Sequence, residues 1–259
     1  MKHPVANKTP EPIKIDNGAL KSADDAKIGW SAPASIGMGI AVFLIPQFIL
    51  GLILGFAVAL FDVDIDALFD DPATTTVLAI SAFTSLIGTL IVWLYTRGKG
   101  GWKALGFVKP QAKYLVHVIP VYVAYFVVLI AALTAADAFV SGFDLDQEQD
   151  LGFDEVLTPI DYIATFITLV VIAPLFEELL FRGFVFRGVA QRFGFWPSAI
   201  VVSGLFGLAH GQFNVGIDTF ILGIGASWLV WRSNSLVPAI LLHGLKNAVA
   251  YVTLFLIAA

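Results

Sequence analysis

Residues 176–183 read FEELLFRG, which places Glu177, Glu178 and Arg182 inside one of the most apolar stretches of the chain. The surrounding run, residues 160–181, has the length of a membrane-crossing helix, for which roughly 20 mainly apolar residues suffice. An ionisable group at the centre of a bilayer costs roughly 2.5–3.5 kcal/mol on insertion scales, so such groups face a cavity or a partner and usually act. Two adjacent carboxylates and a guanidinium in this setting need a physical cause.

The rest of the chain supports a membrane setting. Of the 259 residues, 58% are hydrophobic and 14% are charged, and the mean hydropathy is +0.85. Ordinary soluble domains are about 45–50% apolar and about 25% charged. The sequence has no cysteine, which excludes disulfides, a thiolate nucleophile and a thiolate metal site. A net charge of −5 without a basic run gives no footprint for nucleic acid. The fold class expected is all-α, a polytopic membrane bundle of about seven to eight helices. Candidate spans are residues 34–61, 77–96, 115–136, 160–181, 197–210, 217–231 and 236–257, with an eighth if residues 183–195 or the long first span contribute another helix.

The loops orient the bundle. Residues 97–114 carry Arg97, Lys99, Lys103, Lys109 and Lys113 and no acid, whereas residues 62–76 and 137–156 are acidic and carry no base. Basic loops stay cytoplasmic. The N-terminus is therefore expected in the cytoplasm, with Arg182, Arg187 and Arg192 at the cytoplasmic end of the fourth span and Arg232 at the next cytoplasmic turn. Residues 1–30 are polar and hold no apolar signal-peptide core, and read as a flexible cytoplasmic tail. Residues 31–156 read as N-terminal scaffold helices. Residues 157–259 read as a catalytic core, with Glu177, Glu178, Arg182, His210, His243, Lys246 and Asn247 inside apolar spans.

Helical spacing divides these groups. Glu178 and Arg182 stand four apart with the acid first, the favourable order for an ion pair, and breaking such a pair in a dry interior strands a charge. Glu177 is rotated by about 100° from Glu178 and is expected to face elsewhere. An apolar setting disfavours the charged form of a carboxyl, which suits a general base. Pro174 lacks an N–H, frees the carbonyl of Val170 and kinks the helix. His243 and Asn247 share a helix face, as do Phe206 and His210. Polar groups one turn apart can orient water, hydrogen-bond an oxyanion or help hold a metal, although helix–helix hydrogen bonds in membranes use the same residue types. Lys246 reads as snorkelling or as the partner of an acid. Two histidines and a glutamate also match a catalytic zinc set, but their spacing is not HExxH, so no metal or other cofactor is expected.

The segments Glu177-Glu178-Leu179-Leu180-Phe181-Arg182, Phe206-Gly207-Leu208-Ala209-His210 and His243-Gly244-Leu245-Lys246-Asn247 stand in the order EExxxR, FxxxH, HxxxN. In this the chain resembles the CAAX protease and bacteriocin-processing (CPBP, Abi) family of intramembrane endopeptidases, over about residues 157–257. The resemblance implies a cavity open toward the cytoplasm and water activated by Glu177 and His210. It implies an oxyanion held by His243 and Asn247, with Glu178–Arg182 in support; it leaves open catalysis with or without a metal such as zinc, and glutamate-type catalysis without metal is the expectation. The function expected is hydrolysis of a peptide bond near the cytoplasmic membrane face. The partners are the lipid bilayer and a peptide or membrane-protein substrate. The compact, cysteine-free form points to a bacterial inner membrane. The alternatives are a non-catalytic immunity or scaffold protein of the same family and, third, a proton-coupled transporter, since intramembrane Glu and His also build proton relays.

Overall fold

A computed structural model describes residues 28–61, 73–143 and 158–257. Among these the chain is helical and contains no strand, the solution a bilayer imposes because every backbone polar group must be satisfied within its own segment. In chain order the helices are α1 (Ala32–Phe61), α2 (Ala73–Thr96), α3 (Gly101–Leu105), α4 (Ala112–Val116), α5 (Val118–Phe139), α6 (Pro159–Phe193), α7 (Phe195–Leu208), α8 (Phe213–Ser233) and α9 (Val237–Val252, continuing to Ile257). Six spans are long and apolar enough to cross a membrane; α7, with 14 residues, is short. The long first span is one 30-residue helix with Pro46 inside it. The acidic loops at residues 62–72 and 144–157 lie outside the described residues, as do residues 1–27.

The largest departure from the sequence reading is α6. It does not stop at residue 181 but runs unbroken to Phe193, 35 residues in all, so residues 183–193 extend the fourth span and form no eighth helix. Its start is set locally. Thr158 Oγ1 accepts from the Asp161 N–H while Asp161 Oδ2 accepts from the Thr158 N–H at 2.9 Å, and Pro159 occupies the first turn, a capping box with a preset first residue. Its end is Gly194, at φ 74°, a conformation glycine adopts without steric cost. Two stretches, Ile167–Ile172 and Leu179–Phe186, are π-helical, a widened register that occurs chiefly at functional sites.

This length removes a conflict of depth. With the fourth span ending at residue 181, Glu177 would lie at its cytoplasmic end while His210 lay deep in the membrane. In the full helix Glu177 is about 24 Å from Phe193 at 1.5 Å per residue, and His210 is about 22 Å from Phe195, where α7 starts. The two helices meet at one end of the bundle, and both residues sit at comparable depth.

Helices α6 to α9 form the core, and α1, α2 and α5 close around it. Close helix approach is set by small residues, the usual membrane device. A Cβ on Gly207 would stand 2.7 Å from the Gly216 carbonyl oxygen, which binds α7 against α8. The end of the bundle that carries the basic residues is stapled by polar contacts. Arg187 donates to Asn234 Oδ1 at 2.7 Å and to the Asn234 carbonyl at 2.8 Å, the Leu236 N–H donates to the Gly106 carbonyl, and Ser235 Oγ donates to the Val108 carbonyl. Trp30, which the sequence reading assigns to the tail, is buried and donates its indole N–H to the Phe184 carbonyl at 3.1 Å. The lipid-facing sides of α1 and α5 expose Phe48, Phe56, Val127 and Ile130.

Candidate active site

The two glutamates of the opening stretch sit in different surroundings. Glu178 is fully buried, while the Glu177 side chain is 25% exposed. Glu178 Oε1 accepts from Arg182 Nη1 at 3.0 Å, the i,i+4 ion pair expected from spacing, and the Arg182 side chain is fully buried too. The guanidinium also lies 4.3 Å from the centre of the Phe206 ring, a cation–π contact strengthened by the absence of water.

His243 joins the two acids. Its Nδ1 lies 3.0 Å from Glu178 Oε1 and its Nε2 lies 3.7 Å from Glu177 Oε2. Glu177 and Glu178 thus face different surroundings, as their rotation about the helix suggests, and His243 on α9 reaches between them with one ring nitrogen toward each. Glu178 Oε1 accepts from Arg182 Nη1, so the His243 nitrogen at 3.0 Å from the same oxygen is assigned as its second donor, Nδ1–H. That leaves Nε2 directed at Glu177. Arg182, Glu178, His243 and Glu177 thus form one chain of contacts across α6 and α9.

The other motif residues are placed as follows. His210 sits in the turn just past α7, with Nδ1 2.8 Å from the Phe206 carbonyl and its ring edge-on to the Phe206 ring at 4.9 Å. A carbonyl only accepts, so Nδ1 bears the hydrogen and Nε2 is left for chemistry. Phe206 is the plate on which the site is assembled, in contact with Arg182, His210, His243 and Phe181. The direct contact to Glu177 comes from His243 and not from His210.

Asn247 donates from Nδ2 to the Leu169 carbonyl at 2.8 Å. The backbone explains this bond. The Ala173 N–H bonds to the Thr168 carbonyl, and Pro174 has no N–H, so neither the α nor the π register supplies Leu169 with a donor. The carbonyl that needs a partner is thus Leu169's, one residue before the Val170 named from α-helical register. Val170 instead lies against Gly244, whose Cβ would stand 3.2 Å from its oxygen.

Lys246 pairs with Asp218, Nζ to Oδ2 at 3.0 Å, and Tyr125 donates to Asp218 Oδ1 at 2.7 Å. Asp218 was missed from the sequence because it sits in the second turn of α8, where it reads as the polar end of a span. The unpartnered charge of Lys246 two turns along the next helix was the signal that could have found it. Ser203, fully buried on α7, was passed over as an ordinary small residue.

Among the described residues no three His, Asp or Glu side chains gather in a way that could hold a metal ion. The Nδ1 of His243 faces Glu178 and that of His210 faces the Phe206 carbonyl.

Comparison with known proteins finds a family match over the segment that carries these residues. Residues 159–249 match the family model described as type II CAAX prenyl endopeptidase Rce1-like. Over 88 residues the chain is 35% identical to an uncharacterized 24.3 kDa protein of Escherichia coli, an overlap that takes in 32% of this chain and 41% of that protein. The chain thus spans less than half the length of that relative. No solved structure matches. The matched segment begins at α6 and ends within α9, and contains every residue of the glutamate–histidine cluster. Residues 159–249 are a Rce1-like domain of the CPBP family of membrane proteases.

Proposed function

We propose that this protein is an intramembrane endopeptidase in which Glu177 activates water against a peptide bond. The observation that carries the reading is the division between the glutamates: one sealed and ion-paired, the other reachable, with His243 touching both. A buried ion pair alone would be structural. A partly exposed carboxylate beside an oriented imidazole has the components of general acid–base catalysis.

In this mechanism a water molecule attacks the peptide carbonyl carbon and gives its proton to Glu177, while His210 Nε2 accepts a hydrogen bond from the same water. The carbonyl π bond opens to an oxyanion. Donors for it in this reading are His243, when its Nε2 carries a hydrogen, and the second N–H of Asn247. Glu177 then passes its proton to the amide nitrogen, the oxyanion re-forms the carbonyl as the C–N bond breaks, and the carboxylic acid so formed gives its hydroxyl proton to the amine, so the products are a carboxylate and an ammonium group. Glu178 and Arg182 hold His243 in orientation throughout.

In this reading the cut is made near the cytoplasmic membrane face, the side that the basic loops mark by the positive-inside rule. The substrate class is a membrane peptide or the membrane segment of a protein. The test is to incubate purified protein with membrane peptides and compare it with Glu177→Ala and His210→Ala. Cleavage by the natural protein that both substitutions abolish is the expected result; cleavage surviving both sinks the assignment.

A further inference from the structure

A second charged cluster lies outside the glutamate–histidine site, and the mechanism does not use it. Lys246 of α9 and Asp218 of α8 form an ion pair, Nζ to Oδ2 at 3.0 Å, and Tyr125 of α5 donates to the other carboxylate oxygen at 2.7 Å. The three residues come from three segments apolar enough to cross a membrane, Ala112–Phe139, Phe213–Ser233 and Val237–Ile257. Tyr125 is buried, whereas the Lys246 and Asp218 side chains are 13% and 19% exposed.

The Glu178–Arg182 pair differs from it. Both of those side chains are sealed, as befits a pair that only holds structure in an apolar setting. Lys246 and Asp218 are reachable from one side, and ionisable groups within a membrane span face a polar path or a substrate rather than lipid. The chemistry of the pair narrows what meets it. Its charges cancel, so it selects no ion. An ammonium has three N–H groups and a carboxylate about four acceptor sites, so the pair can donate and accept at once while staying intact. A peptide amide offers the matching acceptor and donor. A membrane segment opened for cleavage bares such amides, and lipid supplies nothing to satisfy them. Lys246 follows His243 by three residues and precedes Asn247, so it stands within about one helical turn, ~5.4 Å, of both. Those two side chains contact α6 while Lys246 contacts α8.

We propose that Lys246 and Asp218 form a docking subsite for the backbone of the membrane-peptide substrate. A substrate carbonyl accepts from Lys246 and a substrate N–H donates to Asp218. Tyr125 holds Asp218 in place and is a positioning residue. The proposal rests on the peptidase reading for the class of its ligand.

The probe is a fluorescently labelled single-span peptide, titrated against Glu177→Gln protein in lipid nanodiscs so that it binds without being cut. Adding Lys246→Met and Asp218→Asn together removes both charges and leaves Tyr125 an acceptor. The expected result is a peptide Kd about 10- to 100-fold higher, the scale of hydrogen bonds to charged groups. Lys246→Arg keeps the charge and its donors, and should stay within a few-fold. With Glu177 intact, the double variant should raise KM by a similar factor and leave kcat within about threefold, the mark of lost substrate binding. A purely structural tie would move the melting midpoint and the folded fraction but not the Kd of folded molecules. A Kd unchanged by the double variant at matched folded fraction overturns the proposal, as does a fall in kcat at constant KM. Cleavage by the natural protein with a Kd indifferent to the pair sinks the docking subsite and leaves the peptidase reading standing. Pair-dependent binding without cleavage by the natural protein does the reverse.

Discussion

Replacing Glu178 by leucine removes the acceptor shared by Arg182 and His243 at 3.0 Å each. The guanidinium is then left fully buried without its ion-pair partner. Breaking a buried pair by removing one partner costs about 3–5 kcal/mol. Total stabilities run to about 5–15 kcal/mol, so a large part of the margin goes. Each kcal/mol moves the midpoint by about 2–4 °C at this size, so the expected fall is of order 6–20 °C. Arg182→Met alone should act similarly, because it strands the carboxylate. The double variant Glu178→Leu/Arg182→Met replaces both charges by apolar groups, a change that is often neutral or stabilising, and should recover most of the loss. Its turnover should nonetheless stay low, because His243 has lost the acceptor that fixes its Nδ1–H. Thermal unfolding followed by the fluorescence of the six tryptophans measures the first effect, and peptide cleavage at matched folded fraction measures the second. Coupling between the two substitutions below about 0.5 kcal/mol, the limit expected of independent sites, would show that the pair does not act as a unit. Full turnover in the double variant would show that Glu178 does not orient His243.

Three further outcomes test other joints of the structure. Asn247→Asp keeps the size of the side chain but removes the only donor to the Leu169 carbonyl, and should lower stability by about 1–3 kcal/mol in a denaturation experiment, whereas Asn247→Gln should retain part of it. Gly183→Ala would put a Cβ 2.8 Å from the Leu105 backbone oxygen; it should cost about 1–3 kcal/mol as an overpacking change, visible as a lower melting midpoint. Lys246→Met leaves Asp218 with Tyr125 alone and should destabilise by about 1–3 kcal/mol, and adding Asp218→Asn should restore part of that loss.

The readable parts of this protein were those governed by hydropathy and by i,i+4 spacing. The apolar runs located the spans, and the acid-before-base order of Glu178 and Arg182 predicted a pair that forms at 3.0 Å. What spacing could not show depends on backbone register and on neighbours distant in sequence. The π-helical stretches of α6 shift which carbonyl lacks a donor, so an α-helical count pointed to Val170 where Asn247 serves Leu169. That His243 of α9 reaches both Glu177 and Glu178 depends on how α9 packs on α6, which spacing along one helix does not show. The length of α6 was hidden because Arg187 and Arg192 read as the flank of a finished span, while Arg187 is buried against Asn234. Asp218 and Ser203 became visible only when three helices were brought together around them.

The account stands on the unequal roles of two adjacent glutamates, and Glu177→Gln measures this most directly. The substitution keeps the shape of the side chain and removes its ability to take a proton. The account predicts that purified Glu177→Gln protein loses about 10²-fold or more of its peptide turnover, the scale of a positioned general base, while its melting midpoint stays within a few degrees of the natural protein's. Turnover within a few-fold of the natural protein, in a variant equally well folded, would contradict it.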